Sequence, residues 1–161
     1  MAKELLIKKA ESGDIPTIVE YLRFMMEEMA STGGHQISKN ESEWGNLNEY
    51  ISKELMNQEH IFIMAKRAVP SMQSVGFVEA RIKTLSFMFE PKRILHIHSL
   101  YVDKTNRRVG IGRALLESAI EWGQGLGCEE VELSVLIGNS AQSLYKKLGF
   151  QTCELEMLRK L

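Results

Sequence analysis

Apolar positions along the chain change period several times, and each change marks an element. Leu5 to Lys8 reads as a short strand, and Glu11-Ser12-Gly13-Asp14 turns the chain. Asp14 is placed to cap a helix and Pro16 to occupy its first turn. Ile18, Tyr21, Leu22, Met25, Met26 and Met29 then recur at helical spacing, a stripe expected in the core rather than as a methionine-rich site. Ala30 to Asn40, with Gly33, Gly34 and His35, reads as a loop. A second helix is expected from Glu43 to Met56, with Trp44, Leu47, Tyr50, Ile51 and Leu55 on one side.

Ile61 to Arg67 and Ser74 to Ile82 are strands around a Val69-Pro70-Ser71 turn, which predicts an antiparallel hairpin. Phe87, Met88 and Phe89 fit either a prolonged strand or an apolar loop, and Pro91 argues against a central strand there. Ile94 to Val102 is rich in β-branched and aromatic residues and reads as a strand. From Gly110, the residues Ile111, Leu115, Ala119 and Trp122 share one helical face, and Gly123 to Gly127 close that helix. Val131 to Ile137 predicts a buried strand. Gly138-Asn139-Ser140 starts a short helix with Ala141, Leu144, Tyr145 and Leu148 on one face, ended by Gly149. Phe150 to Leu161 alternates as a final strand. The order β-α-α-β-β-β-α-β-α-β is an α/β chain with a mixed sheet: a hairpin first, then a parallel crossover to the strand at Val131. Neither repeat nor linker interrupts it, so residues 1–161 read as one domain.

Composition narrows the class. Hydrophobic content of 44% and charged content of 25% over 161 residues fit a globular protein with a sizeable core. A net charge of −1 argues against nucleic acid or a membrane surface as partner. The N-terminal apolar run is too short for a signal peptide, and no run reaches transmembrane length. Cys128 and Cys153 form neither a disulfide framework nor a metal-ligand spacing and are expected as core or half-buried thiols. A cytoplasmic location is expected.

Candidate chemistry concentrates between Ile94 and Trp122. A strand, a polar turn from Asp103 to Arg108, and a helix opening on Val109-Gly110-Ile111-Gly112 together make an anion site. Glycine lets a phosphate approach the backbone, and Arg107, Arg108 and Arg113 add charge. Leu115 stands where the dinucleotide fingerprint needs its third glycine, and a Walker sequence is absent. Arg107-x-x-Gly110-x-Gly112 instead resembles the pyrophosphate signature [RQ]-x-x-G-x-[GA] of the GNAT superfamily of N-acetyltransferases. The segment N-S-A-Q-S-L-Y-K-K-L-G-F, Asn139 to Phe150, resembles a second GNAT segment, and the two stand in the family's order with a strand between them. The strand H-I-H-S-L-Y-V, His96 to Val102, is similar to that of the arylalkylamine (serotonin) N-acetyltransferases.

The resemblance implies a GNAT fold and transfer of an acetyl group from acetyl-coenzyme A to a primary amine, directly, in a ternary complex. It places the pyrophosphate on backbone N–H groups of Val109, Gly110, Ile111, Gly112 and Arg113, beside Arg107 and Arg108. Backbone groups of Leu100, Tyr101 and Val102 would pair with the pantetheine amides. Asn139 and Ser143 would contact the cofactor arm, and Tyr145 would protonate the leaving thiolate. His96 and His98, two apart on a strand, would share a face and offer a base for the ammonium. Glu79 on the neighbouring strand is a rival base. The acceptor pocket would be built from Ala30 to Trp44 and from Phe87 to Phe89. Glu27, Glu28, Glu41 and Glu43 would attract a cationic amine, and Phe87, Phe89 and Tyr101 an aromatic one. The expected partner is a small-molecule amine, and a homodimer is compatible with the pattern. His96 and His98 lack a third ligand nearby in sequence, so no metal is expected. A non-catalytic acyl-CoA-binding domain, a protein N-acetyltransferase and a nucleotide-phosphate binder are the alternatives.

Overall fold

Three hydrogen-bonded antiparallel ladders and one parallel ladder set the architecture. A computed structural model of the chain describes residues 4–33, 41–68, 71–159 and 161. The elements are β1 (Leu5–Lys9), α1 (Ile15–Ser31), α2 (Glu41–Glu54), β2 (His60–Arg67), β3 (Gln73–Thr84), β4 (Arg93–Val102), α3 (Ile111–Gly125), β5 (Glu130–Leu133) and α4 (Gln142–Lys147). The sheet runs β1-β2-β3-β4-β5 in space, antiparallel through β4 and parallel between β4 and β5.

Alternation along the central strands gives the sheet two apolar faces. Val78, Ala80, Leu95 and Ile97 pack with Ile111, Leu115, Leu116 and Ala119 of α3. Phe62, Met64, Phe77 and Tyr101 pack with Ile18, Tyr21 and Leu22 of α1 and with Ile51 of α2. Gly123 brings α3 onto the sheet: a Cβ there would lie 3.0 Å from Leu95 Cδ1. The Asp14 carboxylate accepts from the Glu11 N–H and pairs with Lys66 of β2, which ties the start of α1 to the sheet. No helix among the described residues is long and apolar enough to cross a membrane.

Several expectations are corrected. β5 stops at Leu133 instead of Ile137 and is only partly buried, because β4 alone pairs with it and only over four residue pairs. Residues 151–159 form no strand and are exposed. Their alternation needs a sheet edge to pair with, and the tail pairs with none of the described strands. α2 runs from Glu41 to Glu54 rather than from Glu43 to Met56. Phe87, Met88 and Phe89 neither prolong β3 nor pack; they stand exposed in a turn. Cys128 is buried as expected, but Cys153 is exposed because it belongs to the unpaired tail. Most of the expected loop at Ala30–Asn40 and most of the Val69-Pro70-Ser71 turn lie outside the described residues.

Candidate active site

β4 and β5 pair from Ile94↔Glu130 to Ile97↔Leu133 and no further. Beyond Ile97, β4 continues to Val102 paired with β3 alone, so its other edge is open. A cleft of about 740 Å³ fills the opening. Its walls come from Met25, Met26 and Met29 of α1, the end of β4, the start of α3, the segment after β5, and α4. The methionine stripe is therefore only half core: Ile18, Tyr21 and Leu22 are buried, and the three methionines a turn or two later face the cleft.

The predicted phosphate turn stands at one end of this cleft. Arg108 has φ of 65° and Gly110 of 90°, two left-handed residues that swing the chain into α3. The first intrahelical bond is Ala114 N–H to Gly110 C=O, at 3.0 Å, so the N–H groups of Ile111, Gly112 and Arg113 have no partner within the helix. A Cβ built on Gly110 would meet nothing within 4 Å, which leaves open space where an anion would lie. Gly112 is closer packed, with its would-be Cβ 3.3 Å from Leu144 of α4.

The arginines are less free than the sequence implied. Arg107 Nε donates to the Val102 carbonyl at 2.7 Å, and Nη2 donates to both oxygens of Glu28, at 2.9 and 3.1 Å. Its guanidinium also lies 5.4 Å from the Tyr101 ring centroid. Arg107 thus clamps the turn to α1, and it occupies both the Val102 carbonyl and the Glu28 carboxylate. Arg113 pairs with Glu117 one turn on, at 2.7 Å. Arg108 is exposed and lines the cleft.

Of the other predicted cofactor residues, Leu100, Tyr101, Val102, Ile111, Asn139 and Ser143 line the cleft, and Val109 does not. The Tyr101 side chain is buried, its ring 5.0 Å from that of Tyr21. Asn139 Oδ1 accepts from the Ala141 N–H at 2.9 Å, shaping the entry to α4. Tyr145 lines the cleft with its ring edge-on to Phe150 at 5.8 Å. Burial raises its phenol above the ordinary value, so the hydroxyl stays protonated.

His96 and His98 stand side by side, with ring centroids 5.8 Å apart. A bulge opposite Glu79 and Ala80 separates their roles. Ser99 pairs with Glu79 and Ile97 with Ala80, which leaves His98 as the extra residue on β4. His98 lines the cleft, whereas His96 Nδ1 meets Glu132 Oε1 at 2.9 Å and is not among the lining residues. His98 is exposed by area, yet desolvation among its neighbours pulls its imidazole below the ordinary value, outweighing the opposite pull of Glu79.

Sequence reasoning missed the company Glu79 keeps. Glu79 is 2% exposed on the cleft floor and is joined to His60, Ser99 and Tyr50 by hydrogen bonds across β2, β4 and α2. Glu28, expected as an attractor of amines, is taken by Arg107 and Lys104. Phe87 and Phe89 do not line the cleft. Among the described residues, no group of three or more His, Cys, Asp or Glu side chains could hold a metal ion.

Comparison with known proteins matches this arrangement. The model of the acetyltransferase (GNAT) family covers residues 22–150. An uncharacterised N-acetyltransferase of Methanocaldococcus jannaschii is 39% identical over 82 residues, which are 50% of this chain and 36% of that protein. An aminoglycoside N(6')-acetyltransferase of Klebsiella aerogenes is 29% identical over 93 residues, 56% of this chain and 61% of that protein. The chain thus spans less than two thirds of the length of these relatives. A predicted acetyltransferase of Clostridium acetobutylicum, solved with acetyl-CoA, superposes with a TM-score of 0.78 over 98% of this chain and 96% of its own, at 18% identity. With its split sheet, left-handed turn and α3 terminus in the family's order, the chain belongs to the GNAT family of acetyltransferases.

Proposed function

We propose that the cleft binds acetyl-coenzyme A and that the protein transfers the acetyl group to a primary amine of a small molecule, directly, in a ternary complex. The observation that carries this is the open β4 edge, followed by a single 3-10 turn at Lys104–Asn106 and then by the left-handed turn and the α3 N-terminus. An extended arm bearing amides pairs with such an edge as a strand would, and a pyrophosphate suits the unpaired N–H groups at its end. Leu100 to Val102 would hold the arm, Val109 to Arg113 the pyrophosphate, and Asn139 and Ser143 the far wall. The thioester, when bound, supplies the activated acetyl group.

The remaining steps fall to side chains of the cleft. His98 accepts a proton from the ammonium, directly or through water, which frees the nitrogen lone pair for attack on the carbonyl. As the C–N bond forms and the C–S bond breaks, Tyr145 gives its proton to the departing thiolate. The second proton on the acylated nitrogen passes through solvent to the Tyr145 phenolate, and His98 returns its proton to solvent, which leaves a neutral amide, a free thiol and one released proton. His96 stands next to His98 but is committed to Glu132. Glu79 is a poorer base: burial pushes its carboxyl up, but the bonds from His60 and Ser99 and the nearby imidazoles outweigh that and hold it below the usual range.

Thermal stabilisation by acetyl-CoA, but not by ATP or NAD, and then thiol release across a panel of amines, tests the proposal. Binding without amine-dependent release would make the chain an acyl-CoA-binding module instead.

A further inference from the structure

The last strand of the sheet and the segment after α4 are incomplete in matching ways. β5 is an edge strand: β4 pairs with one side of it, and the other side has no strand partner among the described residues. Val131 and Leu133 point from β5 into the layer under α3, yet they are only half-buried. A strand laid along that edge would cover them.

The segment after α4 lacks an edge instead. Gly149, at a φ of 88°, turns the chain out of the helix. Phe150 is then pinned: its N–H donates to the Tyr145 carbonyl at 3.0 Å, and its ring lies edge-on to Tyr145. Beyond it, residues 151–159 are exposed and unpaired. Cys153, Leu155 and Met157 alternate with Glu154 and Glu156, the pattern of a strand with one apolar face. Leu155, Met157 and Leu158 are 66%, 86% and 73% exposed. Extended, this segment reaches about 30 Å, roughly twice the length of β5.

Both halves of a pairing are present in one chain, and they do not meet. A second copy supplies what each half lacks. Two chains about a two-fold axis can each lay the tail on the other's β5, which pairs both tails and both edges and closes the assembly. The charges allow it. Glu154 and Glu156 fall on the face of Glu130 and Glu132, away from α3. Glu132 is already held by Lys83 and His96, each at 2.9 Å, and Glu130 is exposed, where water and salt screen it. Phe87, Met88 and Phe89, also exposed, stand in a turn and offer no strand to exchange.

We propose that residues 151–159 are an exchanged strand: the tail of one copy adds to the β5 edge of a second, and the protein is a two-fold dimer. The exchanged strand backs one wall of the cleft, because Leu133 and Ser134 to Leu136 just after it line that cleft. Acyl transfer is not a premise of this pairing.

The test joins light scattering to hydrogen exchange, each over a range of protein concentration. The natural chain should have twice the 18.3 kDa mass of one copy at high concentration. The amides from Cys153 to Leu158 should be protected there and lose protection on dilution, in step with the mass. Leu155→Pro removes a ladder N–H from the tail and should weaken dimerisation at least roughly tenfold. Phe87→Ser, on the exposed turn, should leave it unchanged. A monomer at all concentrations, a tail without protection, or protection that survives dilution to monomer would overturn the proposal; the last would mean that each tail folds onto its own β5. A dimer that persists in Leu155→Pro, or that Phe87→Ser abolishes, would overturn it as well. If Leu155→Pro fails to fold, the concentration dependence of tail protection in the natural chain decides.

Discussion

Burial pushes the Tyr145 phenol up, and desolvation pulls the His98 imidazole down. Both shifts keep the group in the form that the proposed transfer needs: a proton on Tyr145 and none on His98. Tyr145→Phe keeps the ring and its contact with Phe150 while removing the hydroxyl. Its kcat should fall roughly 10²-fold or more, with the melting temperature nearly unchanged. A variant that loses stability but not kcat would make Tyr145 a packing residue. For His98 the sign comes from the lowered value: the neutral base is present from below the ordinary histidine range upward. The rising limb of kcat/KM should therefore lie below about pH 6.5, well separated from the acceptor ammonium's own limb near pH 10. His98→Gln should erase the lower limb. If it does not, while His96→Gln does, the two histidines exchange roles. That motif residues such as Tyr145 and Gly110 would stand together on one cleft was legible in the sequence because their signal is local. The Glu79 cluster was not. Its partners lie 19, 20 and 29 residues from Glu79 along the chain, and only strand register, together with the packing of α2, brings them together.

Turn and helix act as a unit through Arg107. It bridges the end of β4, the turn and α1 by three hydrogen bonds, none of which reaches into the proposed phosphate site. Arg107→Lys keeps the charge but not the planar fork, so it should behave like Arg107→Ala rather than like the natural chain. Both should weaken acetyl-CoA binding in calorimetry by displacing the turn. Each should cost about 1 kcal/mol of stability or less, because the pair with Glu28 is about one third exposed. Full rescue by lysine would show that Arg107 acts through charge alone. Element type was readable from period nearly everywhere, and boundaries failed where tertiary context decides them. β5 stops early because its pairing with β4 ends, and the tail alternates without an edge to join.

At the scale of the molecule, two apolar cores on either face of the sheet hold the cleft walls at a fixed distance. Leu115 is fully buried between α3 and the sheet, so Leu115→Ala should cost about 2–5 kcal/mol, seen as a lower urea midpoint with little change in slope. A smaller loss would mean that α3 collapses into the space and carries the turn with it. The layout of sheet and helices came from the order of elements, whereas the cleft needed the register, since pairing between β4 and β5 ends after four residue pairs. That early end leaves the β4 edge beyond Ile97 without a strand partner, open to a ligand. A ligand present at 100 times its dissociation constant adds about 2.7 kcal/mol to the native state. Resistance to heat and to proteases would then track the supply of acyl carrier, and the amount of intact protein would become a gauge of how much carrier surrounds it.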